Sequence, residues 1–350
     1  MRNGQLLGRV LLKFAPGAED VPGDLSAAAR GRDGSLWLAS DERAYLEQVS
    51  PTGPHVYGDH RRLALSDYLE VLTDPEEELD LEAIEFHRDE LWFVGSHSAK
   101  RKKPKKAEKA LERLGTVVQE PARLILGHVR APTGGGAPQA PARRLPVPSD
   151  HGSAPEGLLV DMLRDDPHLA PFLAIPSKDN GLDIEGLAVT DERVWLGLRG
   201  PVLRGHAVLL ELAVELHGEN LLVPRPIEGG RPYRKHLLHL DGLGIRELCR
   251  CGDDLLILAG PTMMLDGPSR LFRLRDGLKP RDEDTFRRQE PGALEPLFDI
   301  PWGEKSDHAE GMTLHSWFEE DDSLLVVYDT PAPERCLGES SVLADVFRLA

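Results

Sequence analysis

Carboxylates occur at matching positions in several short segments of this chain. The segment D-I-E-G-L-A-V places Asp183 and Glu185 two residues apart at the start of an alternating, strand-like run. Side chains two apart on a strand point the same way, so both acids should face one side of it. Burying two carboxylates is costly unless something compensates their charge. The segment therefore predicts a site in which a backbone, an arginine or a metal partners the acids.

Four other segments resemble this one, and a turn and a second apolar strand follow each of the five. They begin at residues 24, 80, 244 and 308, and the second strands read L-W-L-A-S, L-W-F-V-G, V-W-L-G-L, L-L-I-L-A and L-L-V-V-Y. The offset from the third residue of the segment to the second strand is 9 or 10 residues in four cases and 14 in the fifth. A third apolar strand follows each time. Repeated units of this kind predict the blades of a β-propeller.

We predict an all-β fold, a single β-propeller domain over residues 1–350 with five four-stranded blades. The segments are spaced by 56, 103, 61 and 64 residues, so six blades is the alternative if the longest interval holds an additional one. The N-terminal strand G-R-V-L-L-K-F is expected to close the ring by pairing with the last blade. The stretch F-L-A-I-P, 172–176, is predicted to be a fourth strand.

Two insertions are predicted within the longest interval. Residues 100–120 begin with K-R-K-K-P-K-K, six positive charges in seven residues, and continue with the helical pattern A-E-K-A-L-E-R-L. A charge run of this density stays in solvent. Residues 154–172 contain P-E-G-L-L-V-D-M-L-R-D, which predicts a short surface helix.

Composition excludes several classes of function. The formal net charge is −17, which disfavours binding to nucleic acid or to an anionic membrane surface. The first residues lack the apolar core of a signal peptide, and no apolar run approaches the length of a membrane span. Three cysteines do not make a disulfide framework. These features predict a cytoplasmic protein.

In a propeller the first strands line a central channel, which would bring the third positions of the five segments together. These positions hold Ser26, Glu82, Glu185, Arg246 and Glu310. Three converging glutamates suit a hard divalent cation such as Ca²⁺, Mg²⁺ or Mn²⁺, and a contribution from His97 or His308 would admit Zn²⁺. The alternative is that the acids accept hydrogen bonds from backbone amides or are neutralised by arginines without a metal.

The stretch L-R-G-P-V-L-R-G-H, Leu198 to His206, displays Arg199 and Arg204 on either side of a turn. Guanidinium groups match phosphate and carboxylate, so this turn predicts an anion-binding clamp, to which Lys178 and Arg246 would add positive charge. The alternative is that the arginines pair with acids of the ring. The candidates for a general base in the same channel are Asp41, His97 and His308.

The stretches K-D-N-G-L-D-I-E-G-L-A, L-R-G-P-V-L-R-G, L-G-I-R-E-L and H-A-E-G-M-T-L together resemble a bacterial family defined only as a domain of unknown function, number 3616. The resemblance extends over nearly the whole chain, from L-W-L-A-S-D to V-F-R-L, and implies no activity. The E-G-L and E-G-M elements also resemble the esterase-like phytase propellers. That second resemblance implies cleavage of phosphate esters.

Two functions are consistent with these residues. The first is a metal-assisted hydrolase acting on a small anionic substrate, a phosphoester or a lactone, in the mouth of the channel. Glu82, Glu185 and Glu310 would hold the metal, and the arginines would stabilise negative charge. The second is a non-catalytic propeller that binds a small ligand or a protein partner. Propellers host both kinds of function, so the fold does not choose between them.

Overall fold

The structure is a computed structural model that describes residues 3–69, 79–104, 106–131, 139–145, 159–318 and 320–349. Most of these residues lie in strands, and the all-β prediction is confirmed. The α-helices of the described chain are α1 (Ala110–Leu114) and α2 (Leu159–Met162). Single 3-10 turns occur at Val21–Gly23, Leu65–Asp67, Ala107–Lys109, Pro121–Arg123, Ala170–Phe172, Ser177–Asp179 and Pro333–Arg335. No helix in the described ranges has the length and apolar character needed to cross a bilayer.

The first sixty-odd residues supply one strand and then one antiparallel meander. The strands are β1 (Leu6–Lys13), β2 (Ala27–Arg30), β3 (Leu36–Ala39), β4 (Tyr45–Gly53) and β5 (Val56–Ala64). Strands β2, β3, β4 and β5 pair in chain order, so consecutive strands are neighbours joined by short turns.

The next group repeats this meander with a hairpin inserted between its second and third strands. Its members are β6 (Leu81–His87), β7 (Glu90–Gly95), β8 (Ala99–Arg101), β9 (Val117–Gln119), β10 (Leu126–Arg130) and β11 (Gln139–Arg144). The sheet runs β6-β7-β10-β11, and β8 pairs only with β9. Helix α1 lies between β8 and β9 and has no buried residue, as the predicted solvated insertion over 100–120 requires.

A third group of strands has the same order of pairing, and one of its hairpins joins the preceding sheet. It comprises β12 (Asp183–Val189), β13 (Val194–Gly200), β14 (His206–Leu212), β15 (Val214–His217), β16 (Leu221–Pro224) and β17 (Tyr233–His239). The sheet runs β12-β13-β14-β17, and the β15–β16 hairpin joins β11 through one parallel pairing.

The last two groups complete the series. Their strands are β18 (Gly244–Cys251), β19 (Asp254–Gly260), β20 (Ser269–Leu274), β21 (Thr285–Arg287), β22 (Leu294–Ile300), β23 (His308–Trp317), β24 (Glu320–Asp329) and β25 (Ser341–Arg348). One sheet runs β18-β19-β20-β22, with β21 added in parallel to the edge of β17. The final meander, β23-β24-β25, takes its fourth strand from the start of the chain.

Strand β1 is that fourth strand, as the sequence predicts. It pairs antiparallel with β25 over most of its length, with Arg9 opposite Asp345. Its other edge meets β5 through only two parallel pairs, at Leu11 and Leu12. Because β1 bonds on both sides, the first and last meanders form one continuous eight-stranded sheet.

The first strands of the five meanders contact one another in a closed cycle. Strand β2 contacts β6 and β23, β12 contacts β6 and β18, and β18 contacts β23. Apolar clusters fill the spaces between neighbouring sheets, and Trp37, Trp92 and Trp195 each lie in a different one. These tryptophans occupy equivalent second strands, β3, β7 and β13, which confirms the prediction drawn from the repeated offset.

Two predictions for the longest interval need correction. The stretch F-L-A-I-P at 172–176 is not a strand: it leaves the 3-10 turn Ala170–Phe172 and enters a second turn, and β11 is the fourth strand of its sheet. The short helix predicted within 154–172 is α2, in the part of that range that lies among the described residues. It is more than a surface helix, because its Leu159 is buried in a core cluster that also contains Leu163 and Leu169 from the segment after the helix.

Candidate functional site

Each charged residue of the predicted ring lies on a β-bulge near the start of a first strand. In β12 the ladder pairs Ile184 and Gly186 with consecutive residues of β13, so Glu185 is an extra residue without a partner. The same irregularity falls at Glu82, Arg246 and Glu310. A bulge turns the extra side chain away from the regular alternation of a strand. The four bulges thus aim four charged side chains at one region.

Glycine follows two of these bulged glutamates because neighbouring first strands approach closely there. A Cβ atom on Gly311 would lie 2.8 Å from the backbone carbonyl carbon of Ala27 in β2. A Cβ on Gly186 would lie 2.8 Å from the side chain of Leu248 in β18. The E-G dipeptide therefore does two things, since the bulge orients the acid and the glycine lets the next sheet pack against it.

Two arginines pair with three carboxylates in this region. The Arg199 guanidinium lies 2.6 Å from Glu185 Oε1 and 2.7 Å from Asp183 Oδ2. The Nε atom of Arg246 lies 3.0 Å from Glu185 Oε2, and its Nη2 contacts Glu310. Asp183 and Glu185 are both buried. Charges interact strongly where water is excluded, so these pairs compensate much of the cost of burying the acids.

The pairing leaves polar atoms without hydrogen bonds. Arg199 and Asp183 are close but not aligned for hydrogen bonding, and Asp183 Oδ2 and Arg199 Nε have no hydrogen-bond partner among the described residues. Burial raises the pKa of Asp183 to about 7; Arg199 opposes this shift, and Glu185 adds to it. Burial alone would lower the pKa of Arg199, but Asp183 and Glu185 more than offset it, so that pKa is raised.

Glu82 is the acid of the ring that forms no ion pair within the described chain, although its charge acts on Arg199 and raises the pKa of that guanidinium. Carboxylate oxygens of Glu82, Asp183 and Glu185 all lie within 4.8 Å of one another. Burial, and then the charges of Glu185 and Asp80, hold the pKa of Glu82 well above its usual range. Converging carboxylates are stable only when one carries a proton or a cation lies among them. This three-carboxylate group, defined by Glu82, Asp183 and Glu185, is a candidate metal centre.

Further acids surround the group on the loops at the same end of the strands. Burial raises the pKa of Asp41 to about 7, and the charges of Asp80 and Asp329 add to this effect. Burial and Asp329 likewise raise the pKa of Asp24. Asp80 lies 2.7 Å from the Arg123 guanidinium. These groups are close enough to sense one another electrostatically, which places Asp41 beside the candidate metal centre.

We call this assembly the acidic cluster and define it as Asp24, Asp41, Asp80, Glu82, Asp183, Glu185, Glu310 and Asp329. Its basic neighbours are Arg43, Arg123, Arg199, Arg246 and His308. The eight carboxyls outnumber these five basic groups. The cluster therefore attracts cations more strongly than anions.

The predicted histidines have different surroundings. His308 lies at the edge of the acidic cluster, with Nδ1 3.9 Å from Asp329 and Nε2 3.5 Å from Asp266, and Asp329 raises its pKa. His97 is buried, and its Nδ1 atom is bonded to the Gly95 carbonyl at 2.9 Å. Burial lowers the pKa of His97 to about 4, so its imidazole is neutral at pH 7.

The basic residues of the predicted anion clamp have two different environments in the structure. Arg199 forms ion pairs with two carboxylates, as in the alternative that the arginines pair with acids. Arg246 also pairs with two carboxylates. Arg204 is exposed on the turn between β13 and β14, with a left-handed backbone. Lys178 is exposed in a 3-10 turn before β12. No contact of Arg204 or Lys178 with the acids is recorded in the described chain, and anion binding by either remains a prediction.

Sequence reasoning missed two features of the site. Arg123, the partner of Asp80, lies in a 3-10 turn inside the longest interval, outside the repeat that marks the other residues. The third carboxylate near Glu82 and Glu185 is Asp183, whereas Glu310 is drawn toward Arg246. The motif D-I-E already contains Asp183, so its spacing to Glu185 was the available signal.

Comparisons with solved structures give likenesses over nearly the full chain at low identity. A PQQ-bound aldose sugar dehydrogenase from Streptomyces coelicolor is 11% identical, with a TM-score of 0.44 and coverage of 98% of this chain and 97% of that one. A luciferin-regenerating enzyme is 9% identical, with a TM-score of 0.40 and coverage of 98% and 96%. A streptogramin B lyase is 8% identical, with a TM-score of 0.38 and coverage of 97% and 98%. At these values the likenesses support no inference about activity.

Sequence comparisons give a definite result for the family alone. No curated protein matches the chain. A family model described as "Protein of unknown function (DUF3616)" matches residues 24–345, which confirms the resemblance seen in the motifs. The chain belongs to the DUF3616 family.

Proposed function

We propose that this chain is a five-bladed β-propeller that acts as a metal-assisted hydrolase at its acidic cluster. The closed cycle of β2, β6, β12, β18 and β23 supports five blades, since each of these strands begins one four-stranded meander. The three-carboxylate group of Glu82, Asp183 and Glu185 supports the metal. Oxygen ligands of this kind suit Ca²⁺, Mg²⁺ or Mn²⁺.

The observation that carries this proposal is the position of Glu82. Its carboxyl group is held against two other carboxylates and forms no ion pair in the described chain. A divalent cation would remove that repulsion and leave the arginine pairs of Asp183 and Glu185 in place. Bound there, the metal would polarise a substrate carbonyl or activate water.

Asp41 is the proposed general base. Its pKa of about 7 suits proton transfer at neutral pH, and it lies beside the proposed metal. In ester hydrolysis water would attack the carbonyl carbon, Asp41 would accept the proton of that water, and the proton would pass to the alkoxide released when the C–O bond breaks. Carboxylates exceed guanidiniums around the site, so an uncharged lactone fits it better than a phosphoester.

The cation is tested by thermal unfolding of chelator-treated protein with added Ca²⁺, Mg²⁺ or Mn²⁺. At about a hundredfold excess over Kd, a cation that binds only the folded state should stabilise it by about 2.7 kcal/mol. Glu82→Gln should abolish this stabilisation by the cation, whereas Glu310→Gln should keep it because Glu310 lies outside the three-carboxylate group. If the cation stabilises the Glu82→Gln variant as much as the wild type, the proposed ligands are refuted.

Activity is tested with an aldonolactone and with para-nitrophenyl phosphate. We expect cation-dependent hydrolysis of the lactone, and a loss of about a hundredfold in kcat for Asp41→Asn. The control is Glu215→Gln, which removes an exposed carboxylate on β15, outside the acidic cluster.

Failure to cleave either substrate, combined with a normal cation response, would favour the second candidate function. That candidate is a non-catalytic propeller that binds a small ligand or a protein partner, and its support is that Arg199 and Arg246 already neutralise three of the acids.

A further inference from the structure

A cavity of about 520 Å³ lies at the other end of the same first strands. Its lining includes the last residues of β2 and β6 and the later parts of β18 and β23. The positions of Glu82 and Glu85 show that this cavity is separate from the acidic cluster. Both residues lie on β6, but Glu85 lines the cavity and Glu82 does not. Three residues of a strand span about 10 Å, so the cavity is distinct from the acidic cluster.

The charge of this cavity is the reverse of that of the acidic cluster. Four arginines line it: Arg30, Arg32, Arg88 and Arg250. The carboxylate in the lining is Glu85, which lies 2.8 Å from Arg250 Nε. Burial raises the pKa of Glu85 to about 7, and Arg250 opposes this rise, so the carboxyl is only partly charged at neutral pH. We call this site the arginine cavity.

The four arginines differ in how far they are already neutralised. Arg32 pairs with Asp89 at 3.2 Å, and Arg88 pairs with Asp191 at 2.5 Å, both outside the lining. Arg30 has no carboxylate partner within the described ranges, and its recorded hydrogen bond goes to Ser316 Oγ at 3.4 Å. A guanidinium that faces a cavity without a counter-charge is an anion-binding group.

Apolar groups complete the wall. Phe86, Met312 and Leu314 line the arginine cavity together with Ala28 and Ala29. An occupant would therefore need an apolar part as well as a charged head group. We propose that the arginine cavity binds a small organic oxyanion, a phosphate monoester or a carboxylate, with its head group on Arg30 and Arg250 and its apolar part against Phe86 and Leu314.

The test is isothermal titration of the full chain with phenyl phosphate and, separately, with benzoate. It is run at constant ionic strength with chelator present, so that the result is independent of the proposed metal. Arg30→Gln should weaken binding by about tenfold, because a charge-assisted hydrogen bond to the head group is lost. Glu85→Gln should strengthen binding several-fold, because it frees Arg250 from its carboxylate.

Arg275→Gln is the matched control: it removes an exposed, ion-paired arginine far from the cavity lining and should leave binding unchanged. Preference for phenyl phosphate or for benzoate would identify the head group. The proposal is overturned if neither compound binds the wild-type chain, or if Arg30→Gln binds as tightly as wild type. Because Arg30 is exposed, its substitution is not expected to impair folding.

Discussion

Lowering the pH from 9 to 6.5 is expected to raise the free energy of unfolding. The carboxyl of Glu247 is buried and that of Glu82 lies half-buried beside other acids, and desolvation holds both pKa values well above the usual range. In this window the folded state retains protons that the unfolded chain has released. Stability must therefore fall as the pH rises.

Below about pH 6.5 the rise should become smaller, because two sets of groups act in opposite directions. Asp41, Asp183 and Glu85, whose pKa values burial raises to about 7, continue to retain protons in the folded state, whereas three histidines oppose them. Burial lowers the pKa values of His97, His128 and His315 to about 4, so the unfolded chain binds protons there that the folded state excludes. Urea denaturation at several pH values measures the whole profile. Glu247→Gln should flatten the alkaline part, and saturating cation should flatten it further. A free energy of unfolding that increases up to pH 9 would contradict the raised pKa values of Glu82 and Glu247.

Replacing Arg199 by methionine is expected to cost about 3–5 kcal/mol of stability. The substitution keeps most of the apolar stem but leaves Asp183 and Glu185 buried with one fewer counter-charge. An added divalent cation should restore more stability to this variant than to the wild type, because it replaces the missing positive charge. Chemical denaturation with and without cation measures both effects.

Arg204→Met is the control for this experiment, since Arg204 lies on the same segment but on an exposed turn. It should change the stability by less than about 0.5 kcal/mol. Equal effects of the two substitutions would show that the Arg199 ion pairs contribute nothing specific.

The repeat in the sequence predicts the strands well because each strand is defined by local patterns. The offset that precedes Trp37, Trp92 and Trp195 reflects a tight turn between two paired strands, and a turn of fixed length fixes their register. The closing strand is predictable for a similar reason, because its apolar run needs a partner. F-L-A-I-P shows the limit, since a short apolar stretch can equally bury itself in turns.

The sequence predicts which residues lie in the site but not which of them pair with one another. Matching positions in the repeat place Glu82, Glu185 and Glu310 at one end of the first strands. The bulges, and the pairing of Arg246 with both of its neighbouring acids, depend on differences of a few ångströms that no single segment encodes. Asp183 therefore replaces Glu310 beside Glu82 in the structure.

The pairing of β1 with β25 has a consequence for synthesis on the ribosome. Residues 6–13 are translated long before their antiparallel partner, residues 341–348. Until that partner is made, Val10 and Leu12, which are fully buried in the finished protein, have no completed core to enter. An unpaired apolar strand is prone to aggregation, so the nascent chain carries this hazard until residues 341–348 have been synthesised. A chain that ends prematurely, before residue 341, cannot close its eight-stranded sheet and presents this strand to proteases and chaperones.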